Sequence, residues 1–317
     1  METVAFYSYK GGVGRSLLLT YGARFLAKLG KGVVALDFDF EAPGLHYKLG
    51  VARDADLSRL GGAVPYLNAA AEGAAVPPPL EAHLISIAVP PGTNGWLRLM
   101  PAGPAPHQKY WTAFKELGEK LRFGDPSGRG FMALLDLQAR IADELKPDYL
   151  LIDARTGVTE LGGLAATLLA DTVVCMFVGN QESLDGTLMV VEALKAAPRL
   201  ATQKPIRVVP VLSRTQVRTY TEQFTRVVKR LLELGEGKSL GKTDRALFVL
   251  PEDLGLYIWE HAFLNVWPID KAYLELFQSL FPSVAGQVRR LPASLDRPAG
   301  PGGRSLPRRA SKREKGG

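Results

Sequence analysis

The stretch Tyr9-Lys10-Gly11-Gly12-Val13-Gly14-Arg15-Ser16 constrains this chain more than any other, because it joins an apolar run, Val4 to Tyr7, to a helical pattern that begins near Leu17. Gly11, Gly12 and Gly14 let consecutive backbone N–H groups converge on one point, and the following helix adds its positive N-terminal end. Such a loop accepts phosphate, and a hydroxyl at Ser16 is placed to hold Mg²⁺. Two residues depart from the common G-x-x-x-x-G-K-[ST] pattern: Tyr9 stands at the first glycine, and Arg15 stands at the lysine. Lys10 adds a further cation. A glycine-rich strand-to-helix turn beside cations is also ordinary loop chemistry, so the rest of the chain has to decide.

Leu17 to Leu29 reads as the first helix, with Leu18, Tyr21, Phe25 and Leu29 at helical spacing and Gly30-Lys31-Gly32 ending it. Val33 to Leu36 is a short apolar strand of the kind buried in a parallel sheet, and it delivers Asp37, Asp39 and Glu41 at its carboxyl end. Open α/β sheets hold their ligands in the crevice beyond those strand ends. Between Val51 and Leu145 the pattern is weaker. Helices are expected over Leu57 to Ala71, Pro104 to Asp125 and Phe131 to Leu145, with strands at Leu84 to Val89 and Trp96 to Met100. Tyr110, Trp111 and Phe114 read as core, the other reading being a helix that covers the site or meets a partner.

Asp148 to Gly157 contains an apolar strand ending in Asp153, the Walker B arrangement, whose carboxylate lies on the metal side. Many parallel strands end in Asp, and the loop at Lys10 to Ser16 gives this one its meaning. Strands at Thr172 to Val178, Val208 to Leu212 and Ala246 to Leu250 follow, with helices at Leu184 to Lys195 and Lys271 to Leu280. The alternation predicts an α/β fold: a doubly wound, mainly parallel sheet flanked by helices, in a single domain over residues 1–290.

The formal charge of +7 is concentrated at the end, where Arg297, Arg304, Arg308, Arg309, Lys312, Arg313 and Lys315 outweigh Asp296 and Glu314. Residues 291–317 read as a flexible, disordered basic tail rich in Pro, Gly and Arg, able to touch DNA or an anionic surface, or simply solvated. The single cysteine, Cys175, excludes an internal disulfide framework and a Cys-x-x-Cys metal site, and its apolar run makes it a buried small hydrophobe. His46, His83, His107 and His261 lack ligand spacing. No apolar stretch reaches the roughly 18 residues of a transmembrane helix, and nothing near Met1 resembles a signal peptide. The expectation is a cytoplasmic protein.

Lys10-Gly11-Gly12-Val13-Gly14-Arg15-Ser16 resembles the deviant Walker A motif of the ParA/MinD family of P-loop ATPases, Lys-Gly-Gly-x-Gly-Lys-[Ser/Thr]. Asp37-Phe38-Asp39 is similar to that family's switch I element, and Leu151-Ile152-Asp153 through Gly157 to its Walker B and switch II. Val178 to Glu182 and Leu250 to Asp253 look like its later strand-end loops, so the resemblance covers roughly Met1 to Pro282. A narrower group within it carries Arg for the usual lysine, with Asp-x-Asp-x-Glu-Ala-Pro-Gly-Leu and Asp-[Ser/Ala]-Arg-Thr-Gly, which Asp37 to Leu45 and Asp153 to Gly157 fit.

The resemblance implies ATP or ADP with Mg²⁺ as ligands. Gly11, Gly12, Val13, Gly14, Arg15 and Ser16 would wrap the phosphates, and Ser16, Asp37 and Asp153 would hold the metal and its waters. Asp39 would orient the attacking water, and Lys10 would reach across an ATP-dependent homodimer to the partner's phosphates. Gly157 would sense the γ-phosphate, while Ser213, Pro251, Glu252 and Asp253 would line the base and ribose pocket, with Ser213 standing where the family has Asn. Read from the residues alone, Asp37 has a lesser alternative as a helix-capping or salt-bridged acid, and Arg155 is as readily a structural ion-pair partner as a catalytic cation. Arg15 in place of lysine predicts that nucleotide binding survives and that turnover is slow, because a planar fork fits between β and γ oxygens differently from an ammonium. The implied function is a slow ATPase used as a dimerisation switch on an unidentified protein partner. The alternatives are a nucleotide-binding scaffold or sensor in signalling or defence, and a DNA-partitioning ATPase. An iron-sulfur carrier is excluded by the lone Cys175.

Overall fold

The computed structural model describes residues 1–51, 61–71, 78–89, 91–104, 108–121, 129–157, 163, 168–197, 204–215, 222–235, 247–251 and 271–288. Its centre is an eight-stranded sheet with the strand order β3-β4-β2-β5-β1-β6-β7-β8. The strands are β1 (Glu2–Tyr7), β2 (Gly32–Phe38), β3 (Ile85–Ile87), β4 (Trp96–Met100), β5 (Tyr149–Ala154), β6 (Thr172–Phe177), β7 (Arg207–Thr215) and β8 (Phe248–Pro251). All neighbours run parallel except β3, which is antiparallel to β4 at the sheet edge.

The central strands are buried on both faces, which is why they read as continuous apolar runs. Alternate residues of β1 serve opposite cores: Ala5 and Tyr7 join one, Val4 and Phe6 the other. The second core is closed by α1 (Arg15–Lys28) and by the later helix Lys271–Leu280, where Phe25, Phe277 and Phe281 pack together. On the other face lie α3 (Ala63–Ala71), α4 (Gln108–Leu121) and α5 (Arg129–Arg140), then α6 (Gln181–Ala196) and α7 (Glu222–Gly235). A four-residue helix, α2 (Leu45–Lys48), follows β2.

The doubly wound sheet agrees with the sequence expectation in type and order. α7 has no counterpart in it. The helix expected over Phe131 to Leu145 ends its regular part at Arg140 and continues as a π-helical turn, Ile141–Leu145. Tyr110 is buried while Trp111, its neighbour, is 40% exposed, so the aromatic group of α4 is core on one side only. Cys175 is buried in β6 and its thiol is pushed up to about 12 by burial, as befits a packing residue. Among the described residues no helix is long and apolar enough to cross a membrane. Residues 291–317, with Glu252 and Asp253, lie outside the described residues.

Candidate functional site: a glycine loop at the strand ends

β1 runs down the middle of the sheet and releases the glycine loop at its carboxyl end, between the ends of β5 and β6. Gly12 and Gly14 have φ of 73° and 92°, a left-handed backbone that side chains with a Cβ disfavour. Gly14 occupies the N-cap of α1, and no side chain caps that helix. Its first-turn N–H groups, which have no intrahelical acceptors, therefore face the loop as anion donors.

Arg15 is 8% exposed. Its Nη2 donates to Asp39 Oδ2 at 3.2 Å, and its Nη1 has no hydrogen-bond partner. Ser16 donates its hydroxyl to Asp153, whose Oδ1 also lacks a partner. A buried guanidinium N–H and a buried carboxylate oxygen without partners at the mouth of one loop are what a phosphate and a divalent cation would satisfy. The residues fit the implied ligands on that ground. Among the described residues no group of three or more His, Cys, Asp or Glu side chains is arranged to hold a metal alone. Mg²⁺ commonly takes one or two carboxylates together with substrate phosphates, so this donor set suits it.

Asp37 and Asp153 occupy paired positions on β2 and β5 and are both fully buried. Burial pushes both carboxyls up, with the neighbouring Asp153 adding to the effect on Asp37. Asp153 is pushed up to about 6, opposed by the Arg15 charge and the Ser16 hydroxyl. Asp39 is raised less sharply, mainly by burial and against the pull of Arg15. Asp37, Asp39 and Asp153 are thus brought together beside the loop.

Asp37 also caps. Its Oδ1 accepts from the Asp39 backbone N–H at 3.2 Å, and its Oδ2 accepts from Gly44 and Leu45 at 3.2 and 3.1 Å, the start of α2. The helix-capping alternative read from the sequence is therefore present. Asp39 is held on a stiff backbone, because Phe38 and Phe40 on either side are buried and stacked, and Tyr110 Oη donates to the Phe40 carbonyl at 2.7 Å.

Lys10 pairs with Glu182 at the start of α6 and stands 5.6 Å above the Tyr9 ring. The Lys10–Glu182 hydrogen bond raises the Lys10 ammonium's pKa. Tyr9 itself packs its ring against Gly186, one turn beyond Glu182 on the same helix, so α6 holds both residues that precede the glycines. Gly157 receives the Tyr7 hydroxyl on its carbonyl, and its N–H donates to the Ser8 carbonyl at 3.3 Å.

Ser213 lies behind the loop rather than in an open pocket: its hydroxyl is buried and donates to the carbonyls of Val13 at 2.8 Å and Phe177 at 3.3 Å. Pro251 ends β8, the third strand over from β1, which releases the loop. Arg214, which sequence reading did not single out, reaches Gly12 and donates from Nη1 to its carbonyl at 2.6 Å. It sits at φ 53° where the β7–β8 register shifts, and no sequence pattern announces that bulge.

No protein-family model matches the chain, and neither does any curated protein sequence. Solved structures do. The septum site-determining protein MinD of Pyrococcus horikoshii OT3, complexed with Mg-ADP, superposes with a TM-score of 0.61 at 17% identity, covering 92% of this chain and 99% of that one. The fold is that of the MinD and ParA ATPases. Pyrococcus furiosus cell division ATPase MinD gives a TM-score of 0.58 at 20% identity, over 88% of this chain and 98% of that one. The ParA of pNOB8, bound to nonspecific DNA, gives 0.58 at 16%, over 90% and 99%. The likeness spans nearly the whole of each ParA or MinD chain, so the loop, α1 and the Asp-bearing strands stand within a complete fold of this type rather than in an isolated motif.

Proposed function

We propose that this protein binds ATP with Mg²⁺ and acts as a slow ATPase whose nucleotide state switches a homodimer on and off, so as to regulate or position a macromolecular partner. The observation that carries the reading is the pair of unmet buried atoms, Arg15 Nη1 and Asp153 Oδ1, at the mouth of an uncapped helix.

In this reading Gly11 to Ser16 wrap the phosphates, Arg15 taking their oxygens with its planar fork. Ser16 and Asp153 would hold the metal directly or through water, with Asp37 beside them as it caps α2. Asp39 turns the attacking water toward phosphorus, and the Phe38–Tyr110 packing around it keeps that carboxylate from drifting. Lys10 leaves Glu182 and crosses to the second copy's phosphates, where its charge offsets what develops during transfer. Gly157 exchanges the Ser8 carbonyl for a γ-phosphate oxygen. The base would lie near Pro251, Glu252 and Asp253, with Ser213 bracing the loop from behind. ATP and ADP are the ligands expected, and the cytoplasm is the expected setting.

Partners follow from the same frame. A MinC:MinD cell division complex from Aquifex aeolicus and a ParA on nonspecific DNA share this fold, and a protein partner fits this chain better because most of its net positive charge falls in residues 291–317, leaving residues 1–290 close to neutral. A scaffold or sensor with little hydrolysis is the second reading. The Arg15–Asp39 contact favours it, since it occupies both the phosphate cation and the water-orienting carboxylate.

Sedimentation velocity with ATP and Mg²⁺, read beside phosphate release, tests the proposal. Wild type should pass from monomer to dimer with ATP and return with ADP, and Lys10→Ala should lose both dimer and turnover. Unchanged association with every nucleotide would refute the switch.

A further inference from the structure

Arg155 lies two residues beyond Asp153, where β5 leaves the sheet, and pairs with Glu41, which follows Asp39 by the same interval beyond β2. This ion pair therefore joins the two segments that flank the phosphate site. Arg155 also pulls down on the Asp39 carboxyl, so its charge is felt at the residue proposed above to orient the attacking water. Arg15 is held by Asp39 in the same way that Arg155 is held by Glu41. Each guanidinium grips a carboxylate, a group whose two oxygens match the fork as well as two phosphate oxygens do.

We infer that Arg155 is a catalytic residue of the ATPase site proposed above, leaving Glu41 to contact the γ-phosphoryl group in the transition state, as an arginine finger supplied by the same chain. The inference rests on that ATPase reading. In the step it serves, the oxygen of water bonds to the γ-phosphorus while the bond from phosphorus to the β–γ bridging oxygen breaks. ADP leaves with the bond's electron pair, and the water's proton passes to phosphate and solvent. Negative charge accumulates on the transferring group and the bridging oxygen, and a cation placed there late contributes to rate rather than to ground-state affinity.

The exchange costs little. Arg155 and Glu41 have side-chain exposures of 30% and 45%, and an exposed pair of this kind is worth about 0–1 kcal/mol. Arg15 is buried and fixed to Asp39, so it is the less mobile of the two cations and suits ground-state binding. Arg155 is the one free to move.

The test compares wild type, Arg155→Gln, Arg155→Lys, Glu41→Gln and the charge-reversed double variant Arg155→Glu/Glu41→Arg in the full chain. Turnover is measured alongside equilibrium binding of Mg·ADP and of Mg·ADP with aluminium fluoride, a mimic of the transferring group. Arg155→Gln should lower turnover and aluminium fluoride retention by about 10²-fold or more, with Mg·ADP affinity within about threefold of wild type. Arg155→Lys should recover part of the loss. Glu41→Gln should raise retention of the mimic by up to about fivefold, the equivalent of one exposed pair. The reversed pair should remain as impaired as Arg155→Gln. Turnover within about threefold of wild type in Arg155→Gln, or recovery in the reversed pair, would overturn the inference and leave a structural ion pair. Wild type that binds neither nucleotide nor the mimic would overturn the ATPase reading itself.

Discussion

Gly186→Ala isolates how the helix that follows β6 governs the phosphate loop. In an ordinary helix interior the change stabilises by about 0.5–1 kcal/mol, because alanine gives up less backbone freedom. Here a methyl group at position 186 would overlap the Tyr9 ring at Cγ, Cδ1 and Cε1. These atoms lie near the root of the side chain, and Tyr9 is anchored by the strand before it and the glycines after it, so the ring cannot swing away without moving Lys10. Overpacking of that kind costs about 1–3 kcal/mol, and the upper half of the range applies to a rigid ring. The net is destabilisation of about 1–2.5 kcal/mol, or a fall in Tm of about 2–4 °C for a domain of this size. Thermal melts followed by circular dichroism, with urea titrations beside them, give the number. The decisive comparison is in a Tyr9→Ala background, where nothing remains to clash and Gly186→Ala should become stabilising by about 0.5–1 kcal/mol. Gly186→Ala that stabilises the wild-type protein, or that has the same sign in both backgrounds, would refute the claim that α6 carries the loop through Tyr9.

Asp153→Asn should raise the stability of the nucleotide-free protein at neutral pH and remove Mg²⁺-dependent nucleotide binding. The folded-state pKa of Asp153, about 6, lies above its ordinary value of 3.8, so the folded state holds the extra proton. Stability of the nucleotide-free protein should therefore fall as pH rises through that window, with the penalty complete above it, and Asp153→Asn should flatten this limb in melts taken from pH 4 to pH 8. Tyr110→Phe removes the donor to the buried Phe40 carbonyl and should cost about 1–2 kcal/mol in urea unfolding. Because Phe40 adjoins Asp39, turnover should fall more than nucleotide affinity, and an unchanged turnover would show that α4 does not position that carboxylate.

The scaffold was legible wherever one force dominated. Val33 to Leu36, Leu150 to Ile152 and Val173 to Phe177 are buried on both faces, so apolar content alone marked them as central parallel strands. Glycines requiring positive φ marked the loop, and carboxylates after apolar strands marked the metal side. Apolar runs alone did not mark α7, an amphipathic helix whose polar residues interrupt its apolar ones, although Thr221 precedes it and Gly235 ends it. They also failed at Ser213-Arg214-Thr215, where β7 runs on past its apolar run through a bulge and brings Arg214 onto the loop. Long-range partners were the least visible of all. Nothing local to Tyr9 announces Gly186, and nothing local to Arg155 chooses Glu41 over open solvent; both contacts exist because the sheet brings distant strand ends together.

Arg15 Nη1 and Asp153 Oδ1, which have no partner within the chain, are assigned above to Mg·ATP. Isothermal titration calorimetry of the full chain with ATP, with and without Mg²⁺, tests that assignment most directly. A saturable exothermic isotherm is expected with Mg²⁺, weakening at least tenfold, about 1.4 kcal/mol, when the metal is removed and lost in Asp153→Asn. No heat of binding in either condition, or binding indifferent to both Mg²⁺ and Asp153, would contradict it.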